Sequence, residues 1–322
     1  MKLFVTGAAG FIGSNYVRWI MNNTDAEITV FDALTYAGVR ENLADFDGSS
    51  RFSFIHGDIT DREAVSSAMP GHSHVVHFAA ESHVDRSIMG PDAFIHTNVG
   101  GTNVVCDIAR MNDIERFLHI STDEVYGSID EGSFLETDGL EPRSPYSASK
   151  ASSDLVVLAY RETYGLPVVI TRSANQFGPY QFPEKVIPLF VTNLLDDATV
   201  PLYGDGLNIR DWTFVEDNCA AVHLVLERGT DGDVYNIGAG NELTNKELTH
   251  AILERCGKDE RSIEYVEDRL GHDRRYSIDT TKIRAMGWSP QRSFDDALDE
   301  TVAWYTANRS WWEPLKAAVK NR

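Results

Sequence analysis

Two groups of residues in this 322-residue chain have the types and spacing for proton chemistry. One is Tyr146-x-x-x-Lys150. On a helix these side chains share a face, and an ammonium near a phenol favours the phenolate, moving it toward the working range of a general base. The other is Thr122-Asp123-Glu124, directly after the apolar run Phe117 to Ile120. Adjacent carboxyls in a dry site resist double ionisation, so one can stay protonated as an acid while the other acts as a base. Asp at a strand end also suits a plain turn. The position allows chemistry as well, because open α/β sheets bind ligands beyond the carboxyl ends of their strands.

Short β-branched runs at Leu3 to Val5, Ile28 to Phe31, Phe52 to Ile55, Val75 to Phe78, Phe117 to Ile120 and Val168 to Ile170 alternate with helical patterns. This predicts an α/β fold with a Rossmann-like, doubly wound parallel sheet. The helix carrying Tyr146 and Lys150 starts at Ser144-Pro145, a Ser cap followed by Pro in the first turn, and stops before Gly165. Leu155, Val156, Leu158 and Ala159 are its expected inner face. After about Thr171 the alternation gives way to Pro, Gly and aromatic residues, then to helices near 216–228, 245–256 and 293–307. The expected division is a dinucleotide domain of residues 1–172 plus about 213–235, and a smaller interleaved substrate domain of about 173–212 and 236–322.

The first strand runs into Gly7-Ala8-Ala9-Gly10-Phe11-Ile12-Gly13 and then a helix. Glycines there allow a tight turn and close approach of backbone to a pyrophosphate, and the helix N-terminus supplies N–H donors. Asp32, ending the second strand, can accept hydrogen bonds from a ribose diol. Its charge disfavours the extra phosphate of NADP, and no arginine follows until Arg40, so NAD is the expected cofactor. Asp58 is placed either to meet the adenine edge or to cap its own loop. Phe78, Ala79 and Ala80 end the fourth strand with residues small enough to let a cofactor lie close.

Taken with VTGAAGFIGS, DALTYAG, AAESHVDRSI, STDEVYG, SPYSASKASSD, FGPYQFPEKVIPLF, YGDGLNIRDW, YNIGAGNE and GHDRRYSID, these residues make the chain resemble the dTDP-glucose 4,6-dehydratases of the extended short-chain dehydrogenase/reductase superfamily, over nearly its whole length. The resemblance implies that Tyr146 takes the proton of the sugar C4 hydroxyl while hydride leaves C4 for NAD. Glu124 then removes the C5 proton, neutral Asp123 protonates the departing C6 hydroxyl, and hydride returns at C6. It further implies that Thr122 binds the C4 oxygen, that Ile59, Thr97 and Gln176 join Tyr146 and Lys150 around NAD, and that Ser82 and Asn175 touch the sugar. Glu184, Lys185, Arg210, Asn245, His272, Arg274, Arg275 and Tyr276 are expected around the nucleotide diphosphate, where guanidinium forks suit phosphate. For Arg274 and Arg275 a surface ion pair is an equal alternative.

A homodimer through helices 91–110 and 145–164 also follows from the resemblance. Asn175-Gln176-Phe177 and Val39 depart from the common family pattern of Asn-Asn-Tyr and Asn. The same scaffold and Tyr/Lys pair serve 4-epimerases and UDP-glucuronate decarboxylases. Asp123 separates these readings, because a dehydratase must protonate a leaving hydroxyl. A non-catalytic NAD-binding protein is opposed by the intact set Thr122, Asp123, Glu124, Tyr146 and Lys150.

The net charge of −20 disfavours nucleic acid as a partner, and no basic patch offsets it. The start MKLFVTG enters a strand rather than a secretory signal, and no run is long enough to span a membrane, so a cytoplasmic protein is expected. The three cysteines fit reduced, buried thiols. His72, His74 and His77 lack neighbouring acids or cysteines, so no metal is expected. Trp311 and Trp312 are expected to pack the last helix onto the second domain.

Overall fold

The computed structural model describes residues 1–268 and 271–320. Twelve strands are present among them: β1 (Lys2–Thr6), β2 (Glu27–Asp32), β3 (Phe52–His56), β4 (His74–His77), β5 (Arg116–Thr122), β6 (Val168–Ser173), β7 (Asn175–Phe177), β8 (Val200–Tyr203), β9 (Ile209–Phe214), β10 (Val234–Ile237), β11 (Glu242–Thr244) and β12 (Ile263–Val266). Seven form one parallel sheet in the order β10-β6-β5-β4-β1-β2-β3. The order reverses at β1 and β4. A doubly wound sheet opens its ligand crevice at such a switch point, beyond the carboxyl ends of the strands.

Helices cover both faces of this sheet, each over its own core. Leu3, Val5, Val17, Ile20, Val222 and Val225 pack on one side. Phe4, Val75, Val105, Phe117, Val157 and Ile170 pack on the other. A separate cluster, including Phe177, Phe190, Trp212, Leu248, Leu298, Tyr305 and Trp312, fills the space beyond residue 173. There β11-β9-β7 and β12-β8 form two small sheets. Trp312 is fully buried in that cluster and donates to the Tyr305 carbonyl, whereas Trp311 reaches out to Asn42 Oδ1 at 2.9 Å.

The helix Pro145–Tyr164 begins and ends where its sequence signals it. The Ser144 hydroxyl accepts from the Ser147 N–H at 3.0 Å, and Ser147 Oγ accepts from the Ser144 N–H at 3.0 Å. Gly165 terminates it with φ 71°. Its inner face, however, is not the expected apolar one. Leu155 is 60% exposed and Ala159 is exposed, while Lys150, Ser153, Asp154 and Val157 are buried. A polar face can turn inward when its groups are hydrogen-bonded or ion-paired, and periodicity of apolar residues then points the wrong way.

The expected helix 91–110 is divided as well: Pro91–Phe94 and Thr102–Met111 are α-helical, and Ile95–Gly101 forms a wider π turn. That turn presents Asn98, whose Oδ1 accepts from the Glu81 N–H at 2.8 Å and whose amide donates to Ser149 Oγ at 2.8 Å. Asn98 thereby ties the loop after β4 to the Tyr146 helix. Of the three histidines, only His74 and His77 lie in β4. His72 bonds Met69 and Thr29, and His77 bonds Thr6 and Thr102. No group of three metal-ligating side chains occurs among the described residues.

Candidate active site

The carboxyl ends of β1, β2, β4, β5 and β6 open into one cleft. At its β1–β2 end the wall is mostly main chain. Gly7 has φ +72°, and a Cβ on it would stand 2.4 Å from the Ala79 nitrogen. A Cβ on Gly13 would meet Ala8 Cα at 2.5 Å. Only glycine fits these contacts, which bring the turn, the following helix and the end of β4 within reach of one ligand. Gly10, Phe11 and Ile12 line this end, as do Asp58, Ile59, Phe78, Ala80 and Thr97.

Asp32 is buried, with Oδ2 accepting from the Ala9 N–H and Oδ1 from the Leu34 N–H, both at 2.8 Å. Burial raises its pKa despite those bonds. A carboxylate has more lone pairs than these donors use, so it can still accept from a diol. Arg40 is engaged elsewhere, with Asp47 and over the Phe54 ring, and so is not aimed at a 2′-phosphate. Asp58 Oδ1 accepts from the N–H and hydroxyl of Thr60, so it caps its loop while lining the cleft. These features fit an NAD-type dinucleotide.

The β5 end is built from ionisable side chains. Thr122 Oγ1 accepts from the Glu124 N–H at 3.3 Å, which starts a short 3-10 turn, and the same hydroxyl donates to Asp123 Oδ1 at 3.2 Å. The turn holds both acids against the cleft beside Tyr146 and Lys150. Burial, with the charge of Glu124 next in importance, pushes Asp123 up to about 8. Burial beside Glu124 therefore favours the neutral form of Asp123.

Lys150 donates to the Ile120 carbonyl at 2.6 Å, and burial pushes it down to about 8. Burial, followed by the charges of Glu124 and Asp123, raises the Tyr146 phenol well above its ordinary value. The simple expectation that Lys150 lowers the phenol therefore needs correction: burial and the acids dominate. Several buried polar atoms of the cleft, Ser121 Oγ, Asp123 Oδ2, Asn175 Oδ1 and Gln176 Oε1, find no hydrogen-bond partner among the described residues. Polar atoms of this kind suit a polar ligand, since leaving them unmatched is costly.

Ser82, Asn175, Gln176, Glu184 and Lys185 line the same cleft, and Lys185 Nζ donates to the Ser82 carbonyl at 3.0 Å. The remaining expected substrate residues do not line it. Arg210 is buried, donates to the Asp273 carbonyl at 2.9 Å and lies 4.0 Å from the centre of the Tyr276 ring. It still acts electrostatically on Asp123, and Glu124 acts on Tyr276. Arg275 forms a fork on Glu242, with two contacts of 2.9 Å, while Arg274 pairs with Asp205 at the surface. His272 bonds Asp268 at 2.6 Å, and Asn245 opens the helix Asn245–Arg255. Thr35, Tyr36, Glu81, Gln181 and Phe182 also line the cleft, although sequence reasoning did not single them out. DALTYAG and AAES contain three of them, and Arg86 stacks on Tyr36 at 3.8 Å.

A sheet of this order, a glycine turn at its switch point and a Tyr-x-x-x-Lys helix beside it place the chain in the extended short-chain dehydrogenase/reductase class. More narrowly, the family model described as GDP-mannose 4,6 dehydratase matches residues 4–301, and the chain belongs to that family. It is 54% identical to the low-salt glycan biosynthesis protein Agl12 of Haloferax volcanii, with 95% of this chain and 98% of that protein covered. A dTDP-glucose 4,6-dehydratase of an Actinoplanes species is 53% identical, with 97% and 100% covered. Among solved structures, the dTDP-glucose 4,6-dehydratase DesIV of Streptomyces venezuelae, with NAD bound, superposes with a TM-score of 0.96 at 55% identity, covering 98% of this chain and 100% of that one.

Proposed function

We propose that this protein is an NAD-dependent nucleotide-sugar 4,6-dehydratase, a hydro-lyase that converts dTDP-D-glucose to dTDP-4-keto-6-deoxy-D-glucose and water. The observation that carries the reading is Asp123, buried, pushed up to about 8 and adjacent to Glu124 in the cleft that Tyr146 shares. Dehydration needs a neutral acid for the leaving hydroxyl and a base for the C5 proton, whereas epimerisation at C4 needs no such strand-end acids. NAD supplies a hydride acceptor for C4 and a hydride donor for C6.

Tyr146 would take the proton of the C4 hydroxyl as a phenolate, a form that the positive charge of Lys150 and of the bound nicotinamide would favour against the burial and acids that raise the phenol, with Thr122 holding the same oxygen. Once C4 is a ketone the C5 hydrogen is acidic, and Glu124 takes it. Asp123 gives its proton to the C6 hydroxyl, which leaves as water. Lys150, Gly7, Gly10, Phe11, Ile12, Gly13, Asp32, Asp58, Ile59, Phe78, Ala79, Ala80, Thr97 and Gln176 hold the cofactor. Ser82 and Asn175 hold the sugar, and Glu184 and Lys185, which line the same cleft, hold the nucleotide diphosphate. Arg210, Asn245, His272, Arg274, Arg275 and Tyr276 would reach the nucleotide diphosphate from the far side; Arg210 now bonds the Asp273 carbonyl, His272 bonds Asp268, Arg274 pairs with Asp205 and Arg275 with Glu242.

The two-domain division of residues 1–172 plus about 213–235 against the rest is our reading of the separate third core. Exposed apolar residues on the helices of the expected dimer face, Ile95, Met111, Leu155 and Tyr164, support a homodimer. A cytoplasmic location is part of the same reading, and among the described residues no helix is long and apolar enough to cross a membrane.

Incubation with dTDP-, UDP-, GDP- and CDP-glucose, followed by product mass, tests the reaction and the base together. The expected product has lost one water and, in D₂O, carries deuterium at C5. A product that keeps its C6 hydroxyl would overturn the dehydratase reading.

A further inference from the structure

Behind the site, on the buried face of the Pro145–Tyr164 helix, lies a set of charges for which the proposed reaction has no direct use. Asp154 is fully buried. Its Oδ2 accepts from Arg172 Nε at 2.9 Å, and its Oδ1 lies 3.3 Å from His119 Nε2. Arg172 also donates to the Tyr126 hydroxyl at 2.8 Å, and Tyr126 in turn donates to Asn236 at 2.9 Å. His119 faces Ser153 Oγ at 3.1 Å and stacks on His77. Lys150, one turn earlier on the same helix, is buried as well and held on the Ile120 carbonyl, the residue after His119.

Lys150 interacts with Asp154 on its own helix, His119 on β5 and His77 on β4, Arg172 on β6 reaches the same Asp154, and Asp123, Glu124 and Tyr146 line the cleft with Lys150. Both histidines are driven toward the neutral form, chiefly by burial. Two cations, Lys150 and Arg172, then share the single buried anion Asp154. Arginine does not give up its proton in a protein, so any uncompensated positive charge in this cluster must be relieved at lysine.

We infer that Asp154 is a positioning residue for the proposed reaction: it is the fixed counter-charge that keeps Lys150 an ammonium, one helical turn from Tyr146, while Arg172 anchors the carboxylate. This rests on the dehydratase reading only for its effect on turnover. The electrostatic claim stands on the buried cluster. Lys150 is pushed down to about 8 by burial, with Asp154 opposing that fall, so the ammonium is poised to be lost. Burial would raise Asp154, but the close approach of His119 and the charges of Arg172 and Lys150 outweigh it and hold the carboxyl below the usual range. The same cluster explains why the helix turns a polar face to the sheet and leaves Leu155 outside.

The test replaces Asp154 by Asn, or by Ser where Asn does not give a folded protein, in holoenzyme labelled with ¹³C-lysine. The Lys150 resonance is assigned by its loss in Lys150→Arg. The expected result is a downward displacement of the Lys150 midpoint by one pH unit or more. A second readout is kcat against pH. The ratio of variant to wild type should fall at least about fourfold between pH 6.5 and 8 while KM for the nucleotide sugar stays within about twofold. A folded variant whose Lys150 midpoint is unmoved overturns the inference, as does a kcat ratio that is the same at every pH. Because the lysine resonance is read without substrate, a protein that dehydrates no sugar nucleotide would sink the function and leave this electrostatic result standing on its own.

Discussion

The two ends of the cleft recognise by different means. The β1–β2 end is shaped by backbone, where Gly7 and Gly13 allow contacts that a single methyl would close and Asp32 is almost the only charge used. The β5 end is shaped by ionisation, with Asp123 and Lys150 buried, Tyr146 half-buried, and all three displaced from their ordinary titration ranges. The first end has little to do but bind, so its tolerances are steric. The second must move protons, so its tolerances are electrostatic, and small changes of charge with no change of shape should matter most there.

The contrast predicts opposite responses to substitution. Gly7→Ala would force a Cβ to 2.4 Å from the Ala79 nitrogen at a positive φ. It should yield protein without bound NAD, checked by the absorbance ratio of the purified enzyme and by calorimetric titration. Retention of NAD with near-normal affinity would break the comparison. Asp123→Asn keeps shape and removes an acid, so kcat should fall roughly 10²-fold with little change in KM, and absorbance of reduced nicotinamide should build up during turnover. Unaltered kcat would remove Asp123 from the chemistry.

Asp32→Ala lies between the two cases, because it removes a charge from the steric end. NAD affinity should drop by about tenfold and the preference over NADP should narrow, as measured by fluorescence titration of both cofactors. Equal affinity for the two in the wild type would refute its role.

The smallest expected effect is on stability. Asp123 stands at about 8 in the fold, above its ordinary range near 4, so the fold favours its neutral form. That contribution is whole below about pH 4 and is lost as pH rises through about 8. Asp123→Asn should therefore gain on wild type by at least ~1 kcal/mol between pH 5 and pH 9 in urea melts. The same ionisation should make wild-type kcat fall as pH rises through about 8, since the neutral acid is the active form.

Much of the molecule was legible in its residues because the signals were local. Each predicted strand of the main sheet up to Val168 is present within a residue or two, and the Ser144 cap and Gly165 stop bound the helix as expected. The glycine turn, Asp32, the Thr122-Asp123-Glu124 run and the Tyr/Lys pair are each short segments whose residue types state their purpose. The inward face of the Tyr146 helix was misread because apolar periodicity assumes a dry core, and here the core at that point is an ion cluster assembled from β5, β6 and the helix. Tyr36 and Gln181 went unnoticed because their relevance comes only from loops that converge after folding.

Sequence alone thus determined the order of strands and helices along the chain and the glycine turn, and singled out the candidate reacting groups, since these depend on neighbours along the chain. The tertiary structure decided that burial favours the neutral form of Asp123, that burial lowers Lys150, and which way a polar helix face turns. Those outcomes depend on burial and on charges brought close by folding, and desolvation is a property of the surroundings that no residue carries by itself.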